Sequence, residues 1–180
     1  MTLRNVFLFS VVICTILFGT IYAVGQRILR QDANDPQIQL AQDIANLLSG
    51  NARPSDLASS TKIDMAKSLA PFLIVTDTKG VVLTATGQLD NQIPTISQGV
   101  LDASKKTGQN RVTWEPKKGV RIALVVAPYP NGFVAVGRSL REVELRETML
   151  FRIVAIAWLI SVVVLLLGTW KMKNQINNQA

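Results

Sequence analysis

Two long apolar segments lie near the ends of this chain, and the residues between them change from helical to strand periodicity and back. The first uncharged run extends from Asn5 to Gln26 and the second from Ile153 to Trp170. Each run is long enough to cross the roughly 30 Å hydrocarbon layer of a bilayer as an α-helix. We therefore predict two transmembrane helices, with the residues between them on one side of the membrane and both termini on the other. The length of the first run favours an uncleaved anchor over a signal peptide.

Helical spacing recurs between the two runs. Asp35 and Pro36 predict a helix start, because proline is tolerated in the first turn of a helix, and the apolar positions that follow keep helical spacing up to Gly50. A second helix is predicted around residues 96–101, where apolar residues again lie one turn apart. We expect residues 51–71 to form a loop with one or two short helices.

Five segments have the apolar, β-branched composition that is typical of strands. They are Phe72–Asp77, Val81–Thr86, Arg111–Glu115, Val120–Pro128 and Gly132–Arg138. Short turns join the first two strands to each other and the last three to one another, which implies antiparallel neighbours. Strands grouped in this way, with helices on one face or end of the sheet, indicate an α+β fold with a five-stranded antiparallel sheet.

The last strand leads directly into a long helical segment. Ser139 followed three residues later by Glu142 has the form of a capping box, so we predict that a helix begins at Ser139. No proline follows, and no glycine interrupts the segment before Gly168. A helix from Ser139 to Trp170 would be roughly 48 Å long, which exceeds the thickness of the hydrocarbon layer. We expect one continuous helix to join the sheet domain to the membrane.

The net charge of +7 does not indicate nucleic-acid binding, because basic and acidic residues are interspersed between the two runs. Arg4, Lys171 and Lys173 flank the runs on the side of the termini. They favour cytoplasmic termini, contact with anionic lipid head groups and an extracytoplasmic central domain. The opposite ends of the runs carry basic residues as well, which weakens this orientation signal: Arg27, Arg30, Arg146 and Arg152.

Catalytic chemistry has little support in the residue types present. The chain has no histidine, and its only cysteine, Cys14, lies inside the first apolar run. These facts oppose a Cys/His or Ser/His nucleophile system and a zinc site of the ordinary type. The carboxylates occur singly, without a pair at helical or strand spacing for acid–base work, and no glycine loop suited to phosphate is present. We therefore predict no enzymatic activity, no metal and no cofactor.

A small binding pocket is the best candidate for a functional site. Residues 120–129 have two different faces under the two-residue period of a strand. One face is purely apolar, and we expect it to contact the long helix: Ile122, Leu124 and Val126. The other carries Arg121, Tyr129 and small residues, a composition typical of a ligand cavity. Together with Trp114 on the neighbouring strand, they predict a site for a small anionic ligand. The alternative is a solvated Arg121, a turn residue Tyr129 and a core residue Trp114.

The order of elements, helix, two strands, helical connection, three strands and exit helix, resembles the PAS-like fold in its extracytoplasmic Cache form. The closing stretch RVTWEPKKGVRIALVVAPYPNGFVAVGRSLREVELRE is similar to the end of the sensory domain of bacterial membrane histidine kinases. In that family the last strand continues into a signalling helix and the second span. The resemblance covers residues 26–170.

The resemblance implies a definite division of the chain. Its parts are a cytoplasmic stub and transmembrane helix 1 (residues 1–26), an extracytoplasmic PAS-like sensory domain (27–138), a signalling helix (139–152), transmembrane helix 2 (153–170) and a short cytoplasmic tail (171–180). The chain lacks the kinase modules of that family. We expect a sensory or regulatory subunit of a two-component type that acts on a separate signalling or membrane protein, or else a truncated copy.

The sequence leaves two further interpretations open. Gly19 and Ala23 have the small-xxx-small spacing that permits close helix approach, so a homodimer is one of them. The other is a structural envelope protein, whose central domain docks a partner without passing a signal.

Overall fold

The computed structural model describes residues 3–50, 52–59 and 61–179, apart from the side chains of residues 33, 34 and 179. The elements in chain order are α1 (Leu3–Ser49), a short 3-10 helix (Pro54–Leu57), β1 (Ile63–Asp64), β2 (Phe72–Asp77), β3 (Val82–Ala85), β4 (Gly87–Gln88), α2 (Gln98–Thr107), β5 (Asn110–Lys117), β6 (Val120–Tyr129), β7 (Gly132–Ser139) and α3 (Arg141–Gln179). They form two compact units, Arg30–Glu144 and Met1–Leu29 together with Leu145–Ala180.

The unit Arg30–Glu144 is built on a five-stranded sheet. Its strand order is β3-β2-β7-β6-β5, and every neighbouring pair is antiparallel. This confirms the α+β class and the five antiparallel strands that the sequence predicts. The last strand, β7, is the middle strand of the sheet, because it lies between β2 and β6. The parallel pair β1–β4 was not predicted, because strands of two residues leave no periodicity to detect.

Each face of the sheet is covered by one helix, and alternate residues of β6 enter different clusters. On one face Ile122, Leu124 and Val126 join a core that includes Leu101 of α2. On the other face Val125 and Ala127 join the cluster that contains the buried positions of α1. Those positions are Ala41, Ile44, Ala45 and Leu48.

The expectation that Ile122, Leu124 and Val126 contact the long helix is therefore wrong. The period of two correctly divides the residues of β6 between two faces. Both faces of this strand are buried, however, so their composition does not indicate which helix covers each face. The helix α1 packs on the face for which the sequence predicts a ligand site.

The helix α1 also begins earlier than expected. The sequence predicts a helix start at Asp35 and Pro36, yet α1 runs without interruption from Leu3 to Ser49, with Pro36 inside it. Proline at an internal position removes one backbone hydrogen bond and costs about 3 kcal/mol. The apolar run that ends at Gln26 favours helix before Pro36, and the residues after Pro36 pack on the sheet, so helix on both sides outweighs this local cost.

The helix α3 begins at Arg141, two residues after the predicted start. Ser139 is the last residue of β7, and its Oγ accepts a hydrogen bond from the Arg141 N–H at 3.3 Å. The helix continues to Gln179, beyond the predicted end of the apolar run at Trp170. Both α1 and α3 are long and apolar enough to cross a membrane, as a two-pass membrane protein requires.

In the unit Met1–Leu29 with Leu145–Ala180, α1 and α3 pack side by side. The Tyr22 and Phe151 rings meet edge to face with centroids 5.7 Å apart. The Trp158 indole N–H donates to Thr15 Oγ1 at 3.0 Å. A Cβ added to Gly25 would lie 2.7 Å from a methyl carbon of Leu150, so glycine permits the close approach of the two helices there.

Candidate functional site: the junction of β7 and α3

A single residue, Leu140, separates the last strand from the last helix. Its backbone N–H donates to the carbonyl oxygen of Arg121 on β6 at 2.9 Å. Its own carbonyl oxygen accepts the N–H of Glu144 at 2.9 Å, which is the first turn of hydrogen bonding in α3. The strand therefore passes into the helix without a flexible linker, and the connecting residue is hydrogen-bonded on both sides.

An ion pair also joins β6 to the first turn of α3. The Arg121 guanidinium donates to Glu144 Oε1, with Nη1 and Oε1 2.5 Å apart. The two side chains are 42% and 39% exposed, so water screens their attraction. Pairs this exposed contribute about 0–1 kcal/mol. The pair therefore adds little to the stability of the fold.

Two further arginines connect the junction to the turn that follows β1. Arg138 Nε donates to the carbonyl oxygen of Leu69 at 3.0 Å, and Arg141 Nη2 donates to that of Lys67 at 3.1 Å. Asp64 shapes this turn, because its Oδ1 accepts the Ala66 N–H at 2.9 Å. The beginning of α3 thus contacts β6, β7 and the 65–70 turn at once. We call this set of contacts the junction cluster: Asp64, Lys67, Leu69, Arg121, Arg138, Ser139, Leu140, Arg141 and Glu144.

The structure does not bring the three predicted ligand residues together. Trp114 pairs with Ile122 across β5 and β6 and packs against the core on the α2 side of the sheet. Tyr129 packs in the cluster on the α1 side, and Arg121 belongs to the junction cluster. Arg121 and Tyr129 lie eight residues apart on one strand, which corresponds to about 27 Å. A common pocket for the three is therefore not formed.

A small cavity of about 90 Å³ lies beside Tyr129, and Asp102, Lys105 and Phe133 also line it. The Tyr129 hydroxyl donates to the carbonyl oxygen of Thr76 over a long 3.4 Å. Burial raises the pKa of the Tyr129 phenol above its usual 10.0, and the negative charge of Asp77 raises it further. The two charged residues of the cavity have opposite signs, so it presents one cation and one carboxylate to any occupant.

Sequence reasoning missed most of the junction cluster. The sequence assigns Arg121 to a ligand pocket, and it predicts only a continuous helix after Ser139. The contacts connect positions far apart in the chain, 23 residues for Arg121 and Glu144 and 74 for Arg141 and Lys67.

Within the part of the chain that the structure describes, no three carboxylates or thiols gather closely enough to hold a metal ion.

Comparison with protein family models, with curated protein sequences and with solved structures found no match to this chain.

Proposed function

We propose that this protein is a membrane-anchored sensory or regulatory module, which carries a conformational change from its sheet domain along α3 to a separate protein. The observation that supports it most is the junction of β7 and α3. One hydrogen-bonded residue joins a central strand to a helix that continues unbroken from Arg141 to Gln179. A displacement of β7 along its length would move the first turn of α3 with it.

The energetics of the junction cluster suit a switch. Its side-chain contacts are partly exposed, and each ion pair of this kind contributes about 0–1 kcal/mol, so a second arrangement would not be far in free energy. A ligand or partner shifts such an equilibrium only through its difference in affinity for the two arrangements. The turn 65–70 and β6 are the segments through which that difference would reach α3, since both contact its first turn.

The proposal includes a PAS-like sensory domain of the Cache form, located outside the cytoplasm. The order of elements and the direct passage of the last strand into a membrane helix support this, together with the basic residues Arg4, Lys171 and Lys173 beyond the two apolar runs. The output would be a separate signalling or membrane protein. Protease accessibility of the C-terminal residues in inside-out and right-side-out vesicles tests the orientation.

Alanine insertions test the transmission itself. A kinase core fused after Asn178 reports on α3, and one to seven alanines are inserted between Leu145 and Arg146. Each added residue rotates the distal helix by about 100° and lengthens it by about 1.5 Å. We expect kinase output to rise and fall with a period of about 3.6 insertions.

The control inserts the same alanines at Lys118 in the β5–β6 turn, where output should not oscillate. Membrane abundance of every fusion is measured alongside, so that a loss of protein is not mistaken for a loss of signal. A flat response across the series in α3, at equal abundance, would exclude transmission through this helix.

A structural envelope role is the second candidate, and the edge of the sheet favours it. β3 is an edge strand, Leu83 lies at an irregularity in its pairing with β2, and Val81 and Leu83 are 59% and 49% exposed. Exposed apolar residues on a sheet edge are typical of a surface that meets another protein. In this role the substitutions Val81→Ser and Leu83→Ser would abolish partner capture, while the insertions in α3 would have no effect.

A further inference from the structure

The contacts between α1 and α3 give the relative height of their residues. The pairs Gly25 with Leu150, Tyr22 with Phe151, and Thr15 with Trp158 show that residue numbers rise on one helix as they fall on the other. In each pair the two residue numbers add up to about 174. A residue of α3 therefore lies at the same height as the residue of α1 whose number is about 174 minus its own. Arg152 is therefore level with Tyr22.

Arg152 thus lies inside the apolar band of the helix pair. The uncharged run of α1 continues to Gln26, four residues beyond the level of Arg152. At 1.5 Å per residue this corresponds to a depth of about 6 Å. At the opposite end Arg4 is level with Trp170, which is next to Lys171. The uncharged runs of α1 and α3 therefore end at the same height there. Arg152 is the one charged residue of α3 between Thr148 and Trp170.

The guanidinium of Arg152 has no protein partner within the described residues, since neither an ion pair nor a hydrogen bond reaches it. The side chain is exposed, as are those of Phe151 and Ile153 beside it. An arginine at the centre of a bilayer costs about 2.5–3.5 kcal/mol on insertion scales, and the cost falls when the side chain extends toward the interface. The long stem of Arg152 can cover a depth of about 6 Å in this way.

We propose that Arg152 binds the phosphate of a phospholipid head group and thereby fixes the depth of α3 in the membrane. A guanidinium matches phosphate through parallel N–H···O bonds, which lysine cannot form. The inference rests on α1 and α3 spanning a bilayer and deepens the proposed function, since it adds a lipid contact that sets the resting height of the transmitting helix. Removing the charge extends the uncharged part of α3 by one turn and lets the helix slide.

The test measures the depth of Trp158 in the full chain, with Trp114→Phe and Trp170→Phe removing the other indoles. The protein is placed in phosphatidylcholine vesicles whose acyl chains carry bromine at shallow, middle or deep positions, and quenching is compared among them. We expect Arg152→Gln and Arg152→Leu to shift the depth of strongest quenching by a few ångströms, up to about 6 Å. Arg152→Lys, which keeps the charge but lacks the paired N–H donors, should give a profile between those of the parent and Arg152→Gln, and the control Arg27→Gln should leave the profile unchanged.

A second arm identifies the source of the phosphate. In vesicles of a phosphate-free diacyl glycolipid, the unsubstituted chain should adopt the depth of Arg152→Gln, and added inorganic phosphate should not restore it. Identical profiles for Arg152 and Arg152→Gln in phosphatidylcholine would overturn the anchor but leave transmission by α3 intact. If inorganic phosphate restored the original depth, the phosphate bound by Arg152 would not have to come from a lipid. Absence of quenching at every depth would overturn membrane spanning, and with it the proposed function.

Discussion

Two helices leave the same sheet, and they are attached to it by different kinds of contact. α1 is attached through a broad apolar face, with Ala41, Ile44, Ala45 and Leu48 buried against β2, β6 and β7. α3 is attached through one connecting residue and a set of polar contacts, of which the Arg121–Glu144 pair is about 40% exposed on each side. Burial of apolar side chains contributes about 1.5–3 kcal/mol each, whereas an exposed ion pair contributes about 0–1 kcal/mol.

The difference indicates a division of labour between the helices. Apolar burial is non-directional and close-packed, so α1 cannot shift on the sheet without opening cavities. Polar contacts at a surface can exchange one partner for another, or for water, at little cost. Under the proposed function, α1 would serve as the fixed attachment of the sheet, and the first turn of α3 would be the part that takes a second arrangement. The internal Pro36 adds a local weak point to α1, and α3 contains no proline.

The largest expected effect comes from removing part of the apolar attachment. Ile44 is 7% exposed, and Ile44→Ala should lower the free energy of unfolding of the sheet domain by about 2–5 kcal/mol, because it deletes buried methyl groups and leaves a cavity. Urea unfolding of the full chain in detergent, followed by Trp114 fluorescence after Trp158→Phe and Trp170→Phe, measures it.

Leu47→Ala is the matched control on the same helix, since Leu47 is 56% exposed. It should change the unfolding free energy by no more than about 0.5 kcal/mol. If the two substitutions had equal effects, the apolar face of α1 would not be what attaches it to the sheet.

Removing the polar contacts of α3 should change the unfolding free energy much less than Ile44→Ala does, and the change should depend on salt concentration. A double-mutant cycle with Arg121→Gln and Glu144→Gln should give a coupling energy below about 1 kcal/mol, since both side chains are partly exposed. The same unfolding assay at low ionic strength and in about 1 M salt measures it, because the Debye length falls to roughly 3 Å in the latter. A coupling that is large or indifferent to salt would show a rigid joint and weaken the case for a switch.

Local signals were sufficient for most of the fold. β-branched runs separated by short turns predicted the five strands, and β2 begins and ends at the predicted residues. The two apolar runs predicted the long helices for the same reason, since composition alone decides whether a segment can cross a bilayer. The helix boundaries were less accurate. Pro36 predicts a helix start, but it lies inside α1.

The site depended on information that local patterns do not contain. Arg121 and Tyr129 were correctly placed on one face of a strand, but a two-residue period does not reveal that α1 covers this face or that Trp114 faces the other way. The partner of Arg121 is Glu144, and only the return of β7 beside β6 brings the two together. Pairing between distant segments is a property of topology, which spacing along the chain does not determine.

The smallest effect concerns Tyr129, in the apolar cluster under α1, and it appears only at high pH. Because burial and then Asp77 raise its pKa above 10.0, the folded state binds the phenolic proton more tightly than the unfolded state does. This contribution is fully present below about pH 10 and is lost as the pH rises through the raised pKa. Relative to Tyr129→Phe, the parent chain should therefore lose stability only above about pH 10.

The same fluorescence assay between pH 8 and 11 tests this prediction, with the difference between parent and Tyr129→Phe as the readout, so that pH effects common to both chains cancel. At pH 8 the difference should stay within about 1 kcal/mol, because the hydrogen bond to Thr76 is long. Parallel curves up to pH 11 would mean that the phenol is solvated in the folded protein, and that the apolar cluster under α1 is looser at this end than at Ile44.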